Sequence, residues 1–107
     1  MSAMNELAIL KCLADETRLR MLLLISTEGE LCVCELMSAL SEGQSKISRH
    51  LAQLKRSGLL SDRRKGQWVF YDLNKSVPTW VVQLLKGLAA NQPQLEADRS
   101  RLVRASC

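Results

Sequence analysis

Two apolar-striped segments separated by a four-residue polar turn constrain this chain more than any other feature. Val33, Leu36, Met37 and Leu40 share one face of a helix expected over about residues 30–40. Ile47, Leu51 and Leu54 share a face of a second helix, expected from near Ser45 to about Ser57, with Gly58 where a stop belongs. The residues between, Ser41 to Gln44, are polar and include Gly43. Helices joined this tightly must bury their stripes against each other and against the rest of the chain. That is the helix-turn-helix arrangement.

The flanking segments complete a mainly α chain with one small hairpin. Leu7, Leu10 and Ala14 have helical spacing, so a first helix is expected over residues 4–14. Asp15 is placed to cap a second helix whose inner face is Leu19, Leu22 and Leu23, and Glu28-Gly29 to end it. Trp68, Val69, Phe70 and Tyr71 favour a strand, and Lys65-Gly66 offers a turn back to Leu59 and Leu60. Ser76 can cap a final helix with Pro78 near its first position. Trp80, Val81, Leu84, Leu85 and Leu88 give that helix a wide apolar stripe. The stripe serves equally as internal core or, with the first helix, as a dimer interface. Pro93 is expected to break the helix, giving a domain over residues 1–92 and a C-terminal tail over 93–107.

At 107 residues and 47% hydrophobic content the chain can build one core, and a dimer would bury more of its surface. Its longest apolar run, Met21 to Ile25, is far below the roughly 18 residues of a membrane span. Glu6 and Lys11 interrupt the N-terminal segment, which does not read as a signal peptide. A cytoplasmic protein with reduced thiols and no membrane partner is expected.

Charge is concentrated rather than spread. Lys46, Arg49, Lys55, Arg56, Arg63, Arg64 and Lys65 face only Asp62 within their segment, a surplus of +6 in a chain whose total is +4. A basic segment in an otherwise slightly acidic chain suits a polyanion. Gln44, Ser45, Lys46, Ser48, Arg49 and His50 on the second helix suit phosphates and major-groove base edges of double-stranded DNA. Arg63, Arg64 and Lys65 would form the basic tip of a wing. The fold class is thus a winged helix-turn-helix.

The chain carries four cysteines, and two of them, Cys32 and Cys34, precede the turn. Thiolates bind soft centres. On a regular helix residues i and i+2 point about 200° apart, so the two sulfurs would diverge and could share a ligand only by deforming the helix. No Cys-x-x-Cys, Gly-rich phosphate loop or Ser/His/Asp set is present, which argues against an enzyme and against a thiol oxidoreductase. A thiol redox-sensing repressor is the nearer alternative. A non-regulatory helical interaction module leaves the polar helix and basic wing unexplained.

Several stretches in order carry a resemblance: Leu13 to Arg18, Glu30 to Leu36, Lys46 to Leu51, Ser57 to Leu60, Gly66 to Val69 and Val77 to Trp80. Over nearly its full length the chain resembles the arsenic-responsive repressors of the ArsR/SmtB family. The resemblance implies a homodimer, joined through the first and last helices, that leaves operator DNA on binding As(III) or Sb(III) at Cys32 and Cys34, without an organic cofactor. Where such members commonly carry a third cysteine, this chain has Met37. The third ligand is left open among Cys107, Cys12 and none. Zinc sensing is not expected, because the last helix lacks the Asp and His residues that zinc-sensing members use.

Overall fold

Local capping starts the first two helices. Asn5 Oδ1 accepts from the Ala8 N–H at 2.8 Å and opens α1 (Glu6–Leu13). Asp15 Oδ1 accepts from the Arg18 N–H at 3.0 Å and opens α2 (Glu16–Glu28). Gly29 ends α2 at φ 88°, a conformation that residues with a side chain rarely adopt. The computed structural model describes residues 5–104. After α2 come β1 (Leu31–Cys32), α3 (Val33–Leu40), α4 (Gln44–Arg56), β2 (Leu60–Lys65), β3 (Trp68–Leu73), α5 (Thr79–Ala89) and α6 (Pro93–Arg101).

The Arg18 N–H, and less strongly its guanidinium, hold the Asp15 carboxyl below its ordinary value. A depressed carboxyl contributes its stability above its unfolded pKa and loses it as pH falls through the folded one. Asp15→Ala is therefore expected to cost about 1 kcal/mol at neutral pH. Urea unfolding should show that difference shrinking in acid.

Helix α2 is the centre of the molecule. Met21 to Ile25 are consecutive and all buried, so the helix is covered on every side. It packs against α1, α3, α4, α5, α6 and β3. Leu36 and Leu40 of α3, Ile47, Leu51 and Leu54 of α4, and Val81 and Leu85 of α5 complete the core. The stripe expected on the last apolar helix is thus divided. Val81 and Leu85 point inward, while Trp80, Leu84 and Leu88 are only partly covered. On α1, Ile9 and Leu13 are buried, but Leu7 and Leu10 stay 64% and 46% exposed.

The sheet is antiparallel in the order β1-β3-β2. Lys65 pairs with Trp68, so Gly66 and Gln67 form the two-residue turn and Lys65 remains in the strand. Gly66 supplies the positive φ, 65°, that such a turn needs.

The C-terminal third departs from the sequence expectation. Pro78, not Ser76, is the residue before α5, and the Ser76 N–H donates to Asn74 Oδ1 at 2.9 Å in the preceding turn. Helix α5 already ends at Ala89, and Pro93 begins α6 rather than a tail. A proline is tolerated at a helix start. Leu95 and Asp98 are buried and α6 packs on α2 and α3.

Candidate functional site

Helix α3 meets α4 through a turn whose left-handed residue is Ser41, at φ 55°, not Gly43. The stripe of α4 faces inward and leaves Gln44, Ser45, Ser48 and Arg49 exposed, as their spacing requires. Lys46 is half-buried and paired to Glu42 at 3.2 Å. His50 does not join the exposed face. It is 6% exposed, one helical turn after Ile47, and its Nδ1 lies 3.4 Å from Arg18 Nη1. Arg18 also donates to Gln53 Oε1 and to the Cys12 carbonyl, so this inward cluster ties α4 to α1 and α2.

The hairpin beside α4 carries its charges on both faces. Arg63 and Lys65 alternate with Arg64 along β2. Arg63 is engaged: its guanidinium donates to both oxygens of Glu30, at 2.8 and 2.5 Å. This pairing holds the Glu30 carboxyl below its ordinary value. Among the described residues Arg49, Arg64 and Lys65 are exposed and form no ion pair.

The two neighbouring thiols occupy unlike places. Cys32 does not lie on the helix, as expected, but at the end of β1 opposite Phe70. Cross-strand pairing to β3 draws Leu31 and Cys32 into extended backbone, and α3 starts only at Val33. Cys32 caps that start. Its sulfur accepts from the Glu35 backbone, and its own N–H donates to Glu35 Oε1 at 3.0 Å. Cys32 is 2% exposed, whereas Cys34, in the first turn, is exposed. The i, i+2 divergence of a regular helix therefore does not describe this pair. The reciprocal cap was legible as the spacing Cys32-x-x-Glu35, with sulfur where serine or threonine usually stands.

Both thiols line one cavity of about 420 Å³, together with Met37, Gln44 at the start of α4, and Gln67 and Trp68 of the wing. These last two are site residues that composition and periodicity did not single out. A soft, three-valent centre fits the donor set in part, since two sulfurs border one space. Cys12 borders a different cavity with Lys11, Arg18 and Gln53. Cys107 lies outside the described residues. Among the described residues no three His, Cys, Asp or Glu side chains cluster as a metal site, and no helix is long and apolar enough to cross a membrane.

Comparison with known proteins gives consistent matches. Residues 15–62 match the model described as bacterial regulatory protein, arsR family. The chain is similar to the arsenic resistance transcriptional regulator ArsR1 of Pseudomonas putida, with 62% identity over 88% of this chain and 74% of that protein. It is similar to the arsenical resistance operon repressor of Escherichia coli K12, with 45% identity over 100% of this chain and 92% of that protein. Among solved structures it is similar to HlyU from Vibrio cholerae, at TM-score 0.68 and 39% identity over 79% of this chain and 91% of that one. It is also similar to the AntR antimony-specific transcriptional repressor, at TM-score 0.67 and 30% identity over 78% of this chain and 74% of that one.

Proposed function

The chain belongs to the arsR family of bacterial regulatory proteins, and on that premise we propose that it is an arsenic-responsive transcriptional repressor. It binds operator DNA as a homodimer and leaves it when trivalent arsenic or antimony binds Cys32 and Cys34. One observation carries the link between ligand and DNA. The thiol cavity is walled by Gln44 at the start of α4 and by Gln67 and Trp68 of the wing. A ligand held there touches both elements that meet DNA.

The exposed face of α4 enters the major groove, with Gln44, Ser45, Ser48 and Arg49 towards bases and phosphates. Lys46 joins them by exchanging Glu42 for a phosphate. His50 instead positions α4 through Arg18. Arg64 and Lys65 at the wing meet the backbone. Leu7 and Leu10 of α1 and the uncovered side of α5 pack against a second copy. The role involves no catalytic step and no organic cofactor.

Release follows from where Cys32 lies. Its backbone belongs to the β1–β3 ladder and to the cap of α3 at once. Its sulfur is buried, and Cys34 is exposed. Drawing both sulfurs onto one atom costs the cap its acceptor and pulls on β1. The wing and α3 then shift relative to α4. A ligand that favours the shifted form binds the DNA-competent form less well, which is the differential affinity a switch requires.

Wing contacts make a separate prediction. Arg64→Ala is expected to weaken binding to all DNA sequences alike and to reduce the salt slope by about 1. Arg63→Ala should change the slope less, because Arg63 is held by Glu30. Fluorescence anisotropy with operator and unrelated DNA across a salt series measures both slopes. An unchanged slope for Arg64→Ala removes the wing from the interface. The functional proposal itself is tested by titrating arsenite into the protein–operator complex, for the wild type and for a chain with both Cys32→Ser and Cys34→Ser. Equal release of both overturns it.

A further inference from the structure

Helix α6 and the residues after it fasten α3 at both ends. At the last turn of α3, Arg20 donates to the Leu40 carbonyl at 3.3 Å and Arg101 to the Ala39 carbonyl at 3.0 Å. Just before, Ser38 Oγ accepts from the Val103 N–H at 3.3 Å and itself donates to the Glu35 carbonyl at 2.9 Å. At the start of α3 the fastening is Arg104. It donates to the Glu28 carbonyl at 2.6 Å, at the end of α2, and to the Glu30 carbonyl at 3.4 Å, next to β1. Its Nη1 also lies 4.0 Å from Glu35 Oε2. The other oxygen of that buried carboxylate, Oε1, accepts from the Cys32 N–H. One guanidinium therefore spans the end of α2, the approach to the strand that carries Cys32, and the first turn of α3.

We propose that Arg104 is a positioning residue of the release step: a latch that favours the DNA-competent form of the β1–α3 junction and so sets how much arsenite release requires. This rests on the thiol-site reading given under the proposed function. Arg104 does not line the thiol cavity, so it acts on the ligand only through the shape of the junction. Its contacts coexist only while the end of α2, β1 and the start of α3 keep their present places. Drawing Cys32 towards Cys34 moves β1 and the Glu35 cap, and the guanidinium cannot follow them and still reach the Glu28 carbonyl. The far end of α3 stays pinned by Arg20 and Arg101, which Asp98 holds in turn. Opening is thus a swing of the first turn of α3 about its last, and Arg104 is the contact that the swing breaks. Without Arg104, α6 is still tied down by Asp98 and by Arg99, which donates to Glu28 at 2.6 Å. The fold should therefore survive, and the open form gains population. A protein that is mostly closed loses little operator affinity by such a change. A ligand that needs the open form gains affinity by the whole of it.

The full chain is compared as wild type, Arg104→Ala and Arg104→Lys. Anisotropy gives operator affinity without arsenite and the arsenite needed for half-release, and calorimetry gives the arsenite affinity of the free protein. For Arg104→Ala, half-release is expected at about fivefold less arsenite and free-protein arsenite affinity about fivefold higher, with operator affinity within about twofold of the wild type. The change is no larger because the Arg104 side chain is half-exposed. Arg104→Lys keeps the charge and can reach one carbonyl, so it should fall between the two. A merely structural role gives a different pattern, lower stability in urea with arsenite affinity unchanged or reduced. That pattern, or half-release of Arg104→Ala at or above the wild-type arsenite concentration, would overturn the latch. So would weaker operator binding with no gain in arsenite affinity, which would make Arg104 a support of DNA binding alone. Failure of the underlying thiol-site reading looks different: arsenite clears the Cys32→Ser, Cys34→Ser chain from operator as readily as the wild type, whichever residue stands at position 104.

Discussion

Cys32→Ser is expected to bind operator DNA nearly as the wild type does and to stay bound at arsenite concentrations that clear the wild type. Serine is a good helix cap, so its hydroxyl can take over the Glu35 N–H that the Cys32 sulfur now accepts. The β1–β3 pairing uses backbone alone and survives. The hydroxyl, however, is a hard donor that a soft centre does not favour. Losing one arm of a chelate should raise the arsenite needed for half-release on the order of a hundredfold. Cys34→Ser should behave alike and with less effect on stability, since Cys34 is exposed. A gel-shift titration with arsenite reads this outcome. Release of Cys32→Ser at the wild-type concentration would remove Cys32 from the site.

Asp98→Ala should be the most destabilising single change among the charged residues. Asp98 is fully buried and accepts from Arg20 at 3.0 and 2.7 Å, from Arg101 at 2.6 Å and from Gln94 at 3.0 Å. The same two arginines donate onward to the last carbonyls of α3, Arg20 to Leu40 and Arg101 to Ala39. One carboxylate thus fixes α6, α2 and the end of α3 together. Removing it strands Arg20, whose side chain is 15% exposed. Breaking a buried pair from one side costs about 3–5 kcal/mol, a large part of the roughly 5–15 kcal/mol that holds a domain together. Urea unfolding should show this loss. Asp98→Asn, which keeps the shape and part of the hydrogen bonding, should lose less. A cost below about 1 kcal/mol for Asp98→Ala, the level of an exposed pair, would mean the network is solvated in solution.

What the sequence makes legible here is what is local. The Asp15 cap, the Gly29 stop, the stripe of α4 and the basic hairpin depend on residues within a few positions of one another, and each lies where the pattern put it. The inward turn of His50, expected on the DNA-facing side, follows instead from its sharing the face of Ile47 and Leu54. The strand character of Cys32 was not. It is imposed by Phe70, far along the chain, and nothing near Cys32 announces it. Helix α6 escaped for another reason. Its buried side is built from Leu95 and a carboxylate, so a search for apolar periodicity reads it as a polar tail. Arg104 is a charged residue whose place comes from distant partners, the Glu28 and Glu30 carbonyls, whereas the Glu35 cap of Cys32 is local.

The coupling of thiols to DNA through the β1–α3 junction is open to one direct measurement: amide hydrogen exchange over residues 31–35 and 70–71, with and without arsenite. Ligand-driven opening should speed exchange of the Cys32 and Glu35 amides and of the paired wing strand. The same protein carrying Cys32→Ser and Cys34→Ser should show no response. Unchanged or slower exchange at the junction, under conditions where arsenite releases the wild type from DNA, would contradict this mechanism.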